Sequence, residues 1–494
     1  LTVQYVVAAR GTINNCLGDQ RTINVTVDPE PVISASLNAT VCSNDIVNLI
    51  LNTNGTSVGA ASYEIVSRTV AGGLNPILQV AVPVVGVGAA YLQNEVYENT
   101  TNASLTVQYE VRALGTINGC AGDNRTITIT IDPEPVISPA LNASVCSDNI
   151  VNLVLNTNGT SISALNYNVV SRTVAPGLVP VTQVAVPSNG VLPTYLQNEV
   201  YRNTAGASLT IDYVIEAAGA INGCLGSQRT ITITIDPEPV VSTTLNATVC
   251  SDDIVGLVLN TNGTSIAAAN YNIVNRIVAG GLTPVTQVAV PATGVADNYL
   301  QNEVYRNTTN GSLTVQYIVN GVGTINSCLG DQQTIIITIA PEPVIATTLD
   351  KTVCSDIATN LTLNTNGTSV AALNYDIVSR TVDPSLAAIN QVAVPAAGVA
   401  PTYLQSEIYQ NTGAVPLDVV YVVQATGTIN GCLSDQRTIT ITIAPEPVMD
   451  PGLDIAGVCS NLPTGLILNT NGTSVAAANY NIQTITVPGG LTPG

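Results

Sequence analysis

The segment RTITITIDPEPVI (Arg125–Ile137) recurs with small changes at positions 21, 229, 333 and 437, a step of 104 residues each time. A period this long exceeds the 20–50 residues of a solenoid turn and suits one small β domain per repeat. Boundaries drawn at the Pro-Glu-Pro motif give four whole repeats, 29–132, 133–236, 237–340 and 341–444, flanked by part-repeats 1–28 and 445–494. The chain starts inside one repeat and stops inside another, so it reads as a window of a longer protein.

The tyrosines keep the same step. All 18 fall into four columns, led by Tyr5, Tyr63, Tyr91 and Tyr97, and the chain has no Trp or Phe. An aromatic set locked to the repeat is expected to be a core set, one copy per domain. Alternating Ile and Thr in TITITI predict a strand with Ile inward and Thr outward. Leu105–Ala113, the run DIVNLILNTNG ending at Asn54-Gly55, and ASYEIVSRTV predict further strands. ILQVAVP and YLQNEVY are weaker strand candidates, and no segment has helical spacing with a capping box. The expected fold is all-β: tandem immunoglobulin-like β-sandwich domains in an elongated rod. Two prolines in three residues stiffen each joint. A strand rise of ~3.3 Å makes each domain on the order of 40 Å long.

Composition narrows the partners. Only 9% of residues are charged, with a net charge of −20. Such a chain repels nucleic acid and anionic membrane surfaces. No apolar run reaches the length of a membrane span. Cations, neutral glycans and other proteins remain as partners, including copies of the same chain.

Ten cysteines in two periodic series, with no histidine anywhere, indicate disulfides formed in an oxidising compartment. Two cysteines per repeat are too few for a zinc site. Pairing within a domain joins Cys42 to Cys120, Cys146 to Cys224, Cys250 to Cys328 and Cys354 to Cys432, and leaves Cys16 and Cys459 over. Pairing across a joint, Cys16 to Cys42 and onward, is the alternative. An extended run through the joint would hold those sulfurs tens of ångströms apart, beyond the ~6 Å that a bridge tolerates. The intradomain pairing is therefore expected.

One signature reads NTAGASLTIDYVIEAAGAINGCLGSQRTITITIDPEPV (Asn203–Val240), followed by VCS at Val249–Ser251. It resembles the PKD-like and Ig-like repeats of very large Bacteroidetes cell-surface proteins, including gliding adhesins of the SprB type. The resemblance implies an extracellular, multi-domain adhesin or filament on a bacterial surface. Many such repeats place Gly after Cys-Ser, where this chain has Asn44, Asp148, Asp252 and Asp356.

Candidate chemistry is sparse. Without histidine, a Ser-His-Asp or Cys-His arrangement is impossible, and no catalytic residue is assigned. Asp132 and Glu134 flank Pro133, but Ala340 and Ala444 replace the Asp in later joints, and the pair reads as solvated linker charge. A calcium ion held at a joint would take oxygens from Glu134 and from Asp148 in the CSDN loop. No other cofactor is implied. Asp123–Arg125 and Asp435–Arg437 read as a solvated turn, and the recurring NTNGT reads as a turn before a glycan site. The leading expectation is a disulfide-stapled rigid stalk that extends a binding tip. A self-assembling extracellular filament is the first alternative. The second is a carbohydrate-binding accessory array of a secreted enzyme, which requires exposed aromatic faces.

Overall fold

A computed structural model describes residues 1–492. The described chain is almost wholly β, with helix limited to single 3-10 turns such as Ala35–Leu37. It divides into two compact units, Leu1–Glu238 and Pro239–Gly494. The first unit holds a hairpin of β1 (Thr2–Arg10) and β2 (Leu17–Thr26), then the repeats 29–132 and 133–236. The second holds the repeats 237–340 and 341–444 and the segment that follows.

Each complete repeat is a tandem immunoglobulin-like sandwich, and the repeat 29–132 shows how its residues build it. Its strands are β3 (Ala39–Cys42), β4 (Ala60–Val70), β5 (Leu74–Leu78), β6 (Val84–Val87), β7 (Val96–Asn99), β8 (Leu105–Gly115) and β9 (Arg125–Asp132). One layer is a five-stranded sheet in the order β3-β9-β8-β4-β6. The other pairs β5 with β7 and is extended by the run 46–52, which bridges to β7 through Ile46 and Val96. Val47, Leu49 and Leu51 point inward from that run, but the strand expected over DIVNLILNTNG does not form: isolated bridges and single backbone bonds hold it instead. In β9, Ile127, Ile129 and Ile131 are fully buried, while Thr126, Thr128 and Thr130 stay toward solvent, as alternation requires. Strands β3 and β6 had no signal in the sequence. Each is only four residues long.

Strand β3 runs parallel to β9, pairing Ala39 with Ile129 and Cys42 with Asp132. Every other pair in the repeat is antiparallel. The NTNGT segment is a turn: Asn54 Oδ1 accepts from the backbone amides of Thr56 and Ser57.

Three tyrosine columns lie in the core. Tyr63, Tyr97 and Tyr109 are buried, and Tyr91 is half-buried with its hydroxyl donating to the Ala81 carbonyl. Two of them enclose a carboxylate that the sequence did not single out. Glu95 is fully buried and accepts from Arg68 Nη1 at 2.8 Å, from the Val80 amide at 3.0 Å, from Tyr97 Oη at 3.2 Å and from Tyr109 Oη. Arg68 Nη1 and Nη2 also donate to Val80 O and Gln79 Oε1. Burial, then the bond to Glu95, holds the Tyr109 hydroxyl far above its ordinary pKa. The same quartet recurs as Arg172, Glu199, Tyr201 and Tyr213, as Arg276, Glu303, Tyr305 and Tyr317, and as Arg380, Glu407, Tyr409 and Tyr421. A buried charge is tolerated only when its partners are complete.

Two substitutions test this. Arg68→Met strands the Glu95 charge and is expected to destabilise the repeat 29–132 by about 3–5 kcal/mol. Tyr109→Phe removes one donor and is expected to cost about 1–3 kcal/mol. Hydrogen exchange followed by mass spectrometry should show lost protection confined to that repeat, over β4, β7 and β8.

Candidate functional site: the joint between repeats

The Pro-Glu-Pro joint is a packed site. In the first unit Asp132, Pro133, Glu134 and Pro135 are all buried, so the reading of Asp132 and Glu134 as solvated linker charge is corrected. Each carboxylate has its own donors. Asp132 accepts from Ser104 Oγ at 2.5 Å and from Asn222 Nδ2 of the next repeat at 2.6 Å. Glu134 accepts from Asn44 Nδ2 at 2.6 Å. Burial pushes the Glu134 carboxyl up, the Asn44 bond opposes it, and the charges of Glu98 and Asp45 add to the rise. The backbones approach closely here: a Cβ on Gly226 would lie 2.0 Å from the Pro135 carbonyl oxygen. That is the reason position 226 is a glycine.

A disulfide closes the same joint, and its pairing overturns the intradomain expectation. Cys42 is bonded to Cys224 with a Cα separation of 5.6 Å, and Cys250 to Cys432 with 5.5 Å. Cys146 and Cys328 are disulfide-bonded as well. Cys120 and Cys354, expected in bridges, are free thiols, as are Cys16 and Cys459. The physical reason is the direction of β3. Cys42 lies beside Asp132 at the end of β9, whereas Cys120 sits in the turn ahead of Arg125, where β9 begins. Eight residues of strand hold the two sulfurs of one repeat roughly 25 Å apart. Inside each unit the first cysteine of one repeat therefore meets the second cysteine of the repeat that follows. The alternative that kept Cys16 with Cys42 fails on the same geometry.

The calcium expectation named Glu134 and Asp148, and the structure does not bring them together. Glu134 meets Asn44, and Asp148 holds Arg202 through two bonds to its Nε, at 2.9 and 3.1 Å. Asp148 has the role in its own repeat that Asn44 has one repeat earlier. Asn44, Asp148, Asp252 and Asp356 all adopt positive φ, from 60° to 65°. Glycine is at ease there, and Asn and Asp are the side chains that best tolerate it. This chain thus spends a left-handed position on a side chain that reaches into the joint.

The joint inside the second unit carries a denser cluster. Arg306 Nε lies 2.9 Å from Asp252 Oδ2 and 3.9 Å from Glu342 Oε1, and Arg306 Nη2 lies 3.8 Å from Asp435 Oδ2. Asp435 therefore faces Arg306 rather than Arg437, which approaches Asp350 at 3.6 Å instead. Glu342 is 4% exposed. Burial first, then Asp252 and Asp435, push its carboxyl up to about 7 against the lowering pull of Arg306. A cleft of about 440 Å³ opens beside the cluster, lined by Arg306, Glu342, Asp435 and Arg437 among others. The cation these three carboxylates face is the Arg306 guanidinium.

No protein-family description matches the chain, and no curated protein does. Among solved structures, the chain is similar to a protocadherin gammaB7 EC3-6 cis-dimer structure, at 11% identity over 84% of this chain and all of that one, with a TM-score of 0.19. It is similar to Drosophila N-cadherin EC1-4 at 10% identity, covering 83% of this chain and all of that one, with a TM-score of 0.19. It is also similar to Bacteroides ovatus SGBP-B in complex with a mixed-linkage heptasaccharide, at 12% identity over 67% of this chain and 76% of that one, with a TM-score of 0.13.

The joint makes a pH prediction. An unfolded glutamate titrates near 4.5, and folded Glu342 near 7. Between those values the unfolded chain releases a proton that the folded chain keeps. Stability therefore falls as pH rises from about 4.5 to about 7, by roughly 3 kcal/mol at most, and is level above that. Urea midpoints of the wild-type and Glu342→Gln chains across this window should differ in slope, with the variant the flatter.

Proposed function

We propose that this chain is part of a structural and adhesive repeat region displayed outside the cell, on a bacterial surface. The observation that carries the reading is the disulfide placed across a joint, Cys42–Cys224 and Cys250–Cys432, which fastens one repeat to the next. Bridges of that kind persist in oxidising surroundings and are rare in a reducing cytosol. The resemblance to Bacteroidetes surface repeats agrees with this setting.

The role is mechanical, and no catalysis is assigned to it. Sandwich repeats provide reach, packed Pro-Glu-Pro joints restrict bending, and bridges prevent separation. Its partners are copies of itself, other surface proteins or glycans. A carbohydrate-binding array is the weaker reading, because three of the four tyrosine columns it would use are in the core of every complete repeat and the fourth is half-buried.

Intact cells of the source organism decide the matter. Treatment with an impermeant thiol reagent and an external protease should release peptides of this chain, with the Cys42 and Cys224 peptides still joined. Peptides shielded until lysis, with Cys42 and Cys224 alkylated as free thiols, would refute the assignment.

A further inference from the structure

The bridges do more than fasten neighbours, because of where each one enters and leaves a repeat. In the repeat 29–132 the chain comes in at Pro31, which packs against the turn ahead of β9, and crosses the domain to Cys42 at the far end of β9. The bridge passes to Cys224, in the turn ahead of the last strand of the following repeat. That strand, Arg229–Asp236, crosses its domain and delivers the chain to the next joint. The strand Ala247–Cys250 then runs parallel to Gln333–Ala340 and ends beside Ala340. A second bridge passes from Cys250 to Cys432, ahead of Arg437–Ala444. Each repeat is thus crossed once, on a single terminal strand, and inside each unit the joint is crossed through sulfur.

We propose that the disulfides make this region a tie for tensile load, with tension carried by one extended strand per repeat and the rest of each sandwich outside the line of force. The proposal deepens the mechanical reading above and rests on it. Along the backbone, Cys42 and Cys432 are 390 residues apart. Through the two bridges the route contains only the 26 residues from Cys224 to Cys250. Each bridge removes a sequence separation of 182 residues from the stretchable length. The strands that remain on the route are already extended, at ~3.3 Å per residue against a limit of ~3.6 Å, so they have almost nothing to yield. A sandwich held only by its hydrogen bonds and core gives way under load and lengthens severalfold. A sandwich bypassed by sulfur can open without letting the chain grow. The tyrosine and glutamate core and the joint carboxylates then have a task other than bearing tension: they keep the side loops folded.

Single-molecule stretching of the full chain, held by tags at its two ends, tests this. Opening all bridges with dithiothreitol should add about 1,200 Å of contour length between Cys42 and Cys432, and the double variant Cys42→Ser/Cys224→Ser, which keeps the other bridges, should add a large part of it. The oxidised wild-type chain should release neither. If the oxidised chain lengthens as far as the reduced one, the tie is overturned, while the surface assignment still stands on the labelling of intact cells. If the variant fails to fold, adding reductant to a single tethered wild-type molecule makes the same comparison without it.

Discussion

Strand β3 lies parallel to β9, and this direction decides what its cysteine can reach. An antiparallel β3 would have placed Cys42 near the turn that holds Cys120, and each repeat could have closed on itself. Parallel pairing carries Cys42 to the opposite end of the sheet, next to Asp132. The bridge must then be made with the neighbouring repeat. A covalent link between repeats, a buried Pro-Glu-Pro segment and the route that tension takes all follow from that one choice of direction.

Two kinds of buried carboxylate serve this architecture in different ways. Glu95 and its counterparts sit among donors: a guanidinium, a backbone amide and two hydroxyls. Such a set repays desolvation and ties strands β4, β7 and β8 to one register. The joint carboxylates are less completely served. Glu342 faces Asp252 and Asp435 as well as Arg306, and its charged form is disfavoured. The core is therefore the fixed element and the joint the responsive one.

The two intact joints inside the units reach the same balance with different residues. At the first, Asn44, Glu98, Glu134 and Ser227 stand where Asp252, Arg306, Glu342 and Asp435 stand at the other. With every group ionised, the first set has two carboxylates, and the second has three carboxylates and a guanidinium. Each carries two net negative charges. Three of four residues have changed and the sum has not. At the joint that follows the last whole repeat, Gln410 takes the central place and donates to both Asp356 and Glu446 at 3.1 Å.

The repeat, its boundaries' motif and its β character were legible because each is a local pattern: a period of 104, alternating Ile and Thr, Asn-Gly turns. Three of the four tyrosine columns were legible as core for the same reason, while the column of Tyr91 is only half-buried. The quartet around Glu95 was written there too, since its Arg and Glu recur at fixed places in all four repeats, but two charges at constant spacing do not show that they are buried together. Disulfide partners and joint contacts were not legible. They depend on whether a four-residue strand runs with its neighbour or against it, and on which end of a sheet faces the next domain. Local pattern thus determined that this chain is a series of stapled β domains. Only the tertiary structure decided what is stapled to what, because strand direction is set by packing across the whole sandwich and leaves no mark in the spacing of residues.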